Sequence, residues 1–184
     1  MNTLSKFSSR ELLDVKLVQS VTDILSKAIA ENGKASLAVS GGSTPKGFFE
    51  ILSKSNIDWS KVTVTLADER WVNVDNEASN TRLVHENLLQ NSAQQANFFH
   101  LKEGESLSEE VLESLNKTAK NKLLPLDILI LGMGEDGHTA SLFPCSEQIT
   151  NGLAIDNPNA LIAVQPKTAP HQRISFSFAS LIRS

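Results

Sequence analysis

"LDILILGMGEDGH", Leu126 to His138, decides the fold. Its first six residues, "LDILIL", are apolar apart from one aspartate, and glycine ends the run. A short apolar run closed by glycine reads as a buried strand. The next seven residues, Gly132–His138, hold three glycines, two acids and a histidine. The chain therefore places titratable groups on a glycine-rich turn at the carboxyl end of a strand.

The flanking sequence repeats this arrangement. Upstream, "ASLAVS" (Ala35–Ser40) is a short apolar strand broken by "GGSTP", after which Pro45 can open a helix through "KGFFEILSK". "VTVTLA" (Val62–Ala67) is a second such strand and runs into a polar turn, "DERW". Before them, "SSRE" from Ser8 has capping-box spacing, and Leu13, Leu17, Val21, Ile24, Leu25, Ala28 and Ile29 follow at helical period up to Gly33. "NTRLVHENLLQ" and "LSEEVLESLNKTAKNKL" are helical, "NFFHL" is a short strand, and "ALIAVQ" and "RISFSF" are two more. Helix and strand alternate, and several strands are continuous apolar runs. That pattern predicts an α/β fold: a Rossmann-like, mostly parallel sheet with helices on both faces. Ligands bind such sheets outside the carboxyl ends of the strands. "SGGSTP", "ADERW" and "GMGEDGH" each follow a strand, so one crevice can gather all three.

Composition limits the function. The chain has 184 residues, of which 40% are apolar and 21% charged, enough to bury a core in one domain. The net charge is −4 and no long basic run occurs, which argues against a nucleic-acid surface. An anion would have to be held by cations and N–H groups gathered locally. No stretch of 18 apolar residues offers a membrane span, and the amino-terminal residues lack the apolar core of a secretory signal. The single cysteine, Cys145, allows no intrachain disulfide and fits a reducing compartment, so the expected location is cytoplasmic.

Each motif has a chemical and a structural reading. Gly41, Gly42, Ser43 and Thr44 can cradle a phosphate with hydroxyls and backbone N–H groups, or can be an ordinary turn with a helix cap. The spacing is not that of a P-loop. In "DERW", Arg70 can take a phosphate bidentately and an acid can orient a histidine; the structural reading is a solvated charge cluster. His138 is the natural general base or acid, Asp136 or Glu135 can fix its tautomer, and Gly132 and Gly134 can aim N–H groups at an oxyanion. The alternative is a histidine that only caps or packs. Lys167 and Arg173 flank His171 in "PKTAPHQR" and can complete an anion site. His85 is expected on an exposed helix face and His100 beside a short strand. No paired histidine or cysteine set suggests a metal.

In order, "LAVSGGSTP", "VTLADERWVNVDNEASN", "LDILILGMGEDGHTASLFP" and "QPKTAPHQRISFSF" resemble the glucosamine-6-phosphate isomerase/6-phosphogluconolactonase family, on its lactonase side, from about Leu37 to Phe178. The resemblance implies a fold shared with glucosamine-6-phosphate deaminase and ribose-5-phosphate isomerase. It implies hydrolysis of 6-phospho-D-glucono-1,5-lactone to 6-phosphogluconate in the pentose phosphate pathway, with no cofactor. It places the catalytic histidine on His138 with Asp136 as the acid beside it. The phosphate contacts fall on Gly41, Gly42, Ser43, Thr44, Arg70, Lys167 and Arg173. The deaminase side of the family carries a glutamate after the histidine, whereas "DGHTASLFP" has no acid there. A deaminase or isomerase, or a non-catalytic sugar-phosphate module, is the alternative. The family continues past "RISFSF" with a helix, a strand and a last helix, whereas this sequence stops at "ASLIRS". The expectation is one domain over residues 1–184 without those elements, with some sheet surface uncovered, as a monomer or weak homo-oligomer.

Overall fold

The computed structural model describes residues 3–183; Met1, Asn2 and Ser184, the ends of the expected domain, lie outside them. Helix α1 spans Arg10–Asn32 and buries Val18, Val21, Leu25 and Ala28, the expected stripe. Its cap is Ser9, whose hydroxyl accepts from the Leu12 N–H, and not Ser8: the capping spacing slips by one residue. Gly33, at φ 74°, ends the helix in the left-handed conformation that glycine adopts without a Cβ clash. Ile24 and Leu13 of the expected apolar set stay on the open side of the helix.

Strand β1 (Ala35–Val39) is buried throughout and sits at the centre of a four-stranded sheet. It pairs in parallel with β2 (Val62–Leu66), Ala35 opposite Val62, and with β5 (Ile128–Leu129). A short β4 (Asn97–Phe98) pairs in parallel with β2. Only Ile128 and Leu129 of "LDILIL" form the ladder proper, although the Ile130 N–H also reaches the Ala38 carbonyl at 2.9 Å. Between the strands run α2 (Lys46–Leu52), α3 (Asn80–Asn87) and α4 (Glu109–Lys122). Helix α1 packs on β1, β5 and α2, and Trp59, Phe48, Phe49 and Leu37 fill the space between layers.

The rest of the strands depart from a single parallel sheet. "DERW" is not a solvated turn. Asp68–Arg70 is strand β3, with Asp68 and Glu69 buried. It pairs antiparallel with β7 (Arg173–Phe176), which pairs antiparallel with β6 (Leu161–Val164). The two sheets meet at Ala67. Its N–H donates to Val39 of the first sheet at 2.8 Å, and its carbonyl accepts from Phe176 of the second at 3.1 Å. One residue satisfies both ladders, so the chain changes sheets without leaving a backbone group unpaired. The outer edge of β6 is closed by a side chain: Asn116 of α4 donates to the Leu161 carbonyl at 2.9 Å and accepts its N–H at 2.8 Å. Two short helices, α5 (Ile149–Leu153) and α6 (Phe178–Leu181), flank this second sheet in sequence. No helix among the described residues is long and apolar enough to cross a membrane.

Candidate active site

The turns after β1 and β5 and the facing ends of β3 and β7 converge on one cleft of about 270 Å³. It is lined by Gly41, Gly42 and Thr44, by Arg70 and Arg173, and by Gly132, Gly134 and His138. The three strand-end motifs thus do share a crevice.

His138 is held from two sides. Its Nδ1 lies 2.5 Å from Asp136 Oδ1, and its ring stacks on Phe143 with centroids 4.1 Å apart. A carboxylate only accepts, so the neutral imidazole carries its proton on Nδ1 and presents a lone pair on Nε2. The hydrogen bond from His138 holds the Asp136 carboxyl below the usual carboxylate range, and so keeps it an anion. Asp136, not Glu135, is therefore the acid that fixes the tautomer. The ring lies so close to Gly134 that a Cβ there would sit 2.3 Å from its atoms; glycine is what lets the imidazole fold back over the turn.

The same turn corrects the expectation for the oxyanion donors. The Gly134 N–H is already donated to the His138 carbonyl at 2.8 Å, so it closes the turn and is not free for a ligand. The Gly132 N–H makes only a long contact, 3.4 Å, to the Ser40 hydroxyl.

The cationic end is built from β3 and β7. Arg70 donates to the Ala78 carbonyl at 2.6 Å, and Arg173 stands 3.8 Å from Asp68, a loose pairing. The Nε of each arginine is buried without a hydrogen-bond partner. Burial, and then the positive charge of Arg70, lower the pKa of Arg173 against the pull of Asp68 and Glu69. Two guanidinium groups with unused donors in one cleft form a site that an anion would complete. Lys167 is elsewhere: its ammonium pairs with Glu147 at 3.4 Å, and it does not line the cleft. Ser43 is exposed and also outside the lining.

The acids of "DERW" do different work. Glu69 accepts the N–H groups of Arg70, Asn80 and Thr81 at 2.7–2.8 Å and so caps α3. Asp68 borders the cleft and accepts the Ser141 hydroxyl at 2.5 Å. Ser141 follows Ala140, whose φ of 48° marks a backbone held in a conformation that non-glycine residues seldom adopt. Among the described residues, no group of three or more His, Cys, Asp or Glu side chains could hold a metal ion.

Two residues of the site escaped sequence reasoning. Phe143, in "SLFP", carries no polar group to mark it, yet its ring stacks on His138 and lies 5.0 Å from the Arg173 guanidinium. Asn80, read only as part of a helix start, wedges against the first glycine turn and donates to the Asp68 carbonyl at 3.0 Å. A Cβ on Gly41 would stand 1.9 Å from Asn80 Oδ1. Gly41→Ala is therefore expected to displace a buried amide and cost about 1–3 kcal/mol, lowering Tm by about 2–10 °C. Calorimetry of the variant, alone and combined with Asn80→Ser, checks this. The second change makes room and should recover part of the loss.

Comparison with known proteins identifies the family. Residues 8–184 match the family described as glucosamine-6-phosphate isomerases/6-phosphogluconolactonase. The chain belongs to that family. A 6-phosphogluconolactonase of Rhizobium meliloti (strain 1021) is 43% identical over 175 residues, covering 95% of this chain and 75% of the relative. The crystal structure of a 6-phosphogluconolactonase from Shewanella baltica OS155 superposes with a TM-score of 0.92 at 45% identity, covering 97% of this chain and 76% of that one. A monomeric glucosamine-6-phosphate deaminase at 16% identity shares the fold, with a TM-score of 0.76 over 100% of this chain and 79% of its own.

Proposed function

We propose that this chain is a 6-phosphogluconolactonase, hydrolysing 6-phospho-D-glucono-1,5-lactone to 6-phosphogluconate in the pentose phosphate pathway. The observation that carries the reading is the pairing, in one cleft, of a histidine whose Nδ1 is fixed by Asp136 with two arginines whose Nε groups lack partners. The arginines and the Gly41–Thr44 turn take the phosphate. His138 Nε2 then accepts a proton from water as its oxygen attacks the lactone carbonyl. The Gly132 N–H is the backbone donor left for the oxyanion. When the intermediate collapses, the ring oxygen leaves as a hydroxyl and takes the proton from the imidazolium. The absence of an acid in "TASLFP" after His138 favours this over the deaminase chemistry.

The same reading has the chain act in the cytoplasm without a resident metal or cofactor, as a monomer or weak homo-oligomer. The test is hydrolysis of freshly generated phosphorylated lactone, followed by proton release with the spontaneous rate subtracted. A rate well above background is expected, with unphosphorylated gluconolactone a poor substrate. Equal kcat/KM for the two lactones would remove the phosphate from the reading.

A further inference from the structure

The anion end of the cleft is braced from outside by two residues of α1 that do not line it. Asp14 is 5% exposed on a helix face otherwise packed with apolar groups. A buried carboxylate is costly unless paired. Its Oδ1 takes the Arg10 Nε at 3.2 Å, and its Oδ2 presses on α2, where a Cβ on Gly47 would stand 2.6 Å away. The same Arg10 guanidinium, through Nη2, donates to the carbonyl of Thr44.

Thr44 is the last residue of the glycine turn and lines the cleft, and Pro45 follows it. The peptide between them has an acceptor and no N–H. If it rotated, it would offer an anion only the negative end of its dipole. Arg10 holds that oxygen on a cation that is not part of the cleft lining.

We propose that Arg10 and Asp14 are positioning residues for anion binding: they turn the Thr44 carbonyl away from the bound phosphate and fix the shape of the Gly41–Thr44 turn. This rests on the reading that the turn and Arg70 hold the phosphate of the substrate. Asp14 sets the Arg10 guanidinium, and Arg10 sets the turn.

Arg10→Met keeps the aliphatic stem and loses the donors. It is expected to raise KM for the phosphorylated lactone and Kd for 6-phosphogluconate about 3- to 10-fold. kcat, and the rate on unphosphorylated gluconolactone, should stay within about twofold. Arg10→Lys, able to reach one acceptor, should recover part of the affinity, which a merely structural role would not give. Calorimetric titration with 6-phosphogluconate, run beside Arg70→Ala, separates the two levels. Wild-type affinity in Arg10→Met with affinity lost in Arg70→Ala overturns the bracing role alone. Wild-type affinity in both overturns the phosphate reading beneath it. If Arg10→Met does not fold, wild-type affinity in Asp14→Asn, with Arg10→Lys no weaker than wild type, overturns the proposal equally.

Discussion

His138→Asn is expected to fold, to bind 6-phosphogluconate, and to lose about 100- to 10,000-fold in kcat with little change in KM, the range a general base contributes. Asparagine keeps a polar group of similar reach, and the Phe143 face against which the imidazole stacks remains available to it. It cannot take a proton from water at neutral pH. The loss should therefore fall on the step in which charge moves and not on binding. Spontaneous lactone hydrolysis has to be subtracted. A variant with wild-type kcat after subtraction would reduce His138 to a packing residue and turn attention to Asp68, an acid that lines the cleft.

Arg70→Ala is expected to raise KM for the phosphorylated lactone about 10- to 150-fold, because a charge-assisted contact is worth about 1.5–3 kcal/mol. Its partnerless Nε and its place beside Arg173 give it the donors that a phosphate needs. The substitution also removes the bond to the Ala78 carbonyl, so some of the loss could come from a loosened loop. Two comparisons isolate the phosphate. The rate on unphosphorylated gluconolactone should be nearly unchanged, and Arg70→Lys should restore charge but not the bidentate fork, recovering only part of KM. An equal loss on both lactones would assign Arg70 to the architecture of β3 and not to the ligand.

The sequence made the first layer of this molecule legible and the second only in part. The strands Ala35–Val39 and Val62–Leu66 show themselves as apolar runs closed by turn residues, and the helix from Arg10 shows its 3.6-residue stripe. Both signals are local. The antiparallel sheet was hidden because β3 is three residues of charge, Asp68–Arg70, in a place where exposure is the ordinary expectation. Asp68 and Glu69 are buried because their partners come from outside the strand: the N–H groups at the start of α3 for Glu69, and Ser141 and Arg173, far along the chain, for Asp68. No local period records such partners.

The site divides in the same way. Motif chemistry points to His138, Asp136, the glycine turn, Arg70 and Arg173, since glycine-rich strand ends advertise ligand approach, and the structure brings His138, both arginines and Gly41, Gly42 and Thr44 to one cleft. Lys167 shared its motif with Arg173 but points to Glu147, because a loop sets its own direction whatever its neighbours do. Asn80 and the Gly134 N–H could not be placed from sequence, since what matters about each is a hydrogen bond set by the fold.

The crossing of the chain at Ala67 has a consequence for how activity arises. His138 hangs from the parallel sheet, after β5, and Arg70 and Arg173 hang from the antiparallel one, on β3 and β7. Neither sheet alone holds a complete set. Arg173 is set opposite Arg70 by the β3–β7 ladder, with Phe176 bonded to the same residue that Val39 holds from the other side. On the proposed mechanism, turnover therefore needs both ladders in place at once.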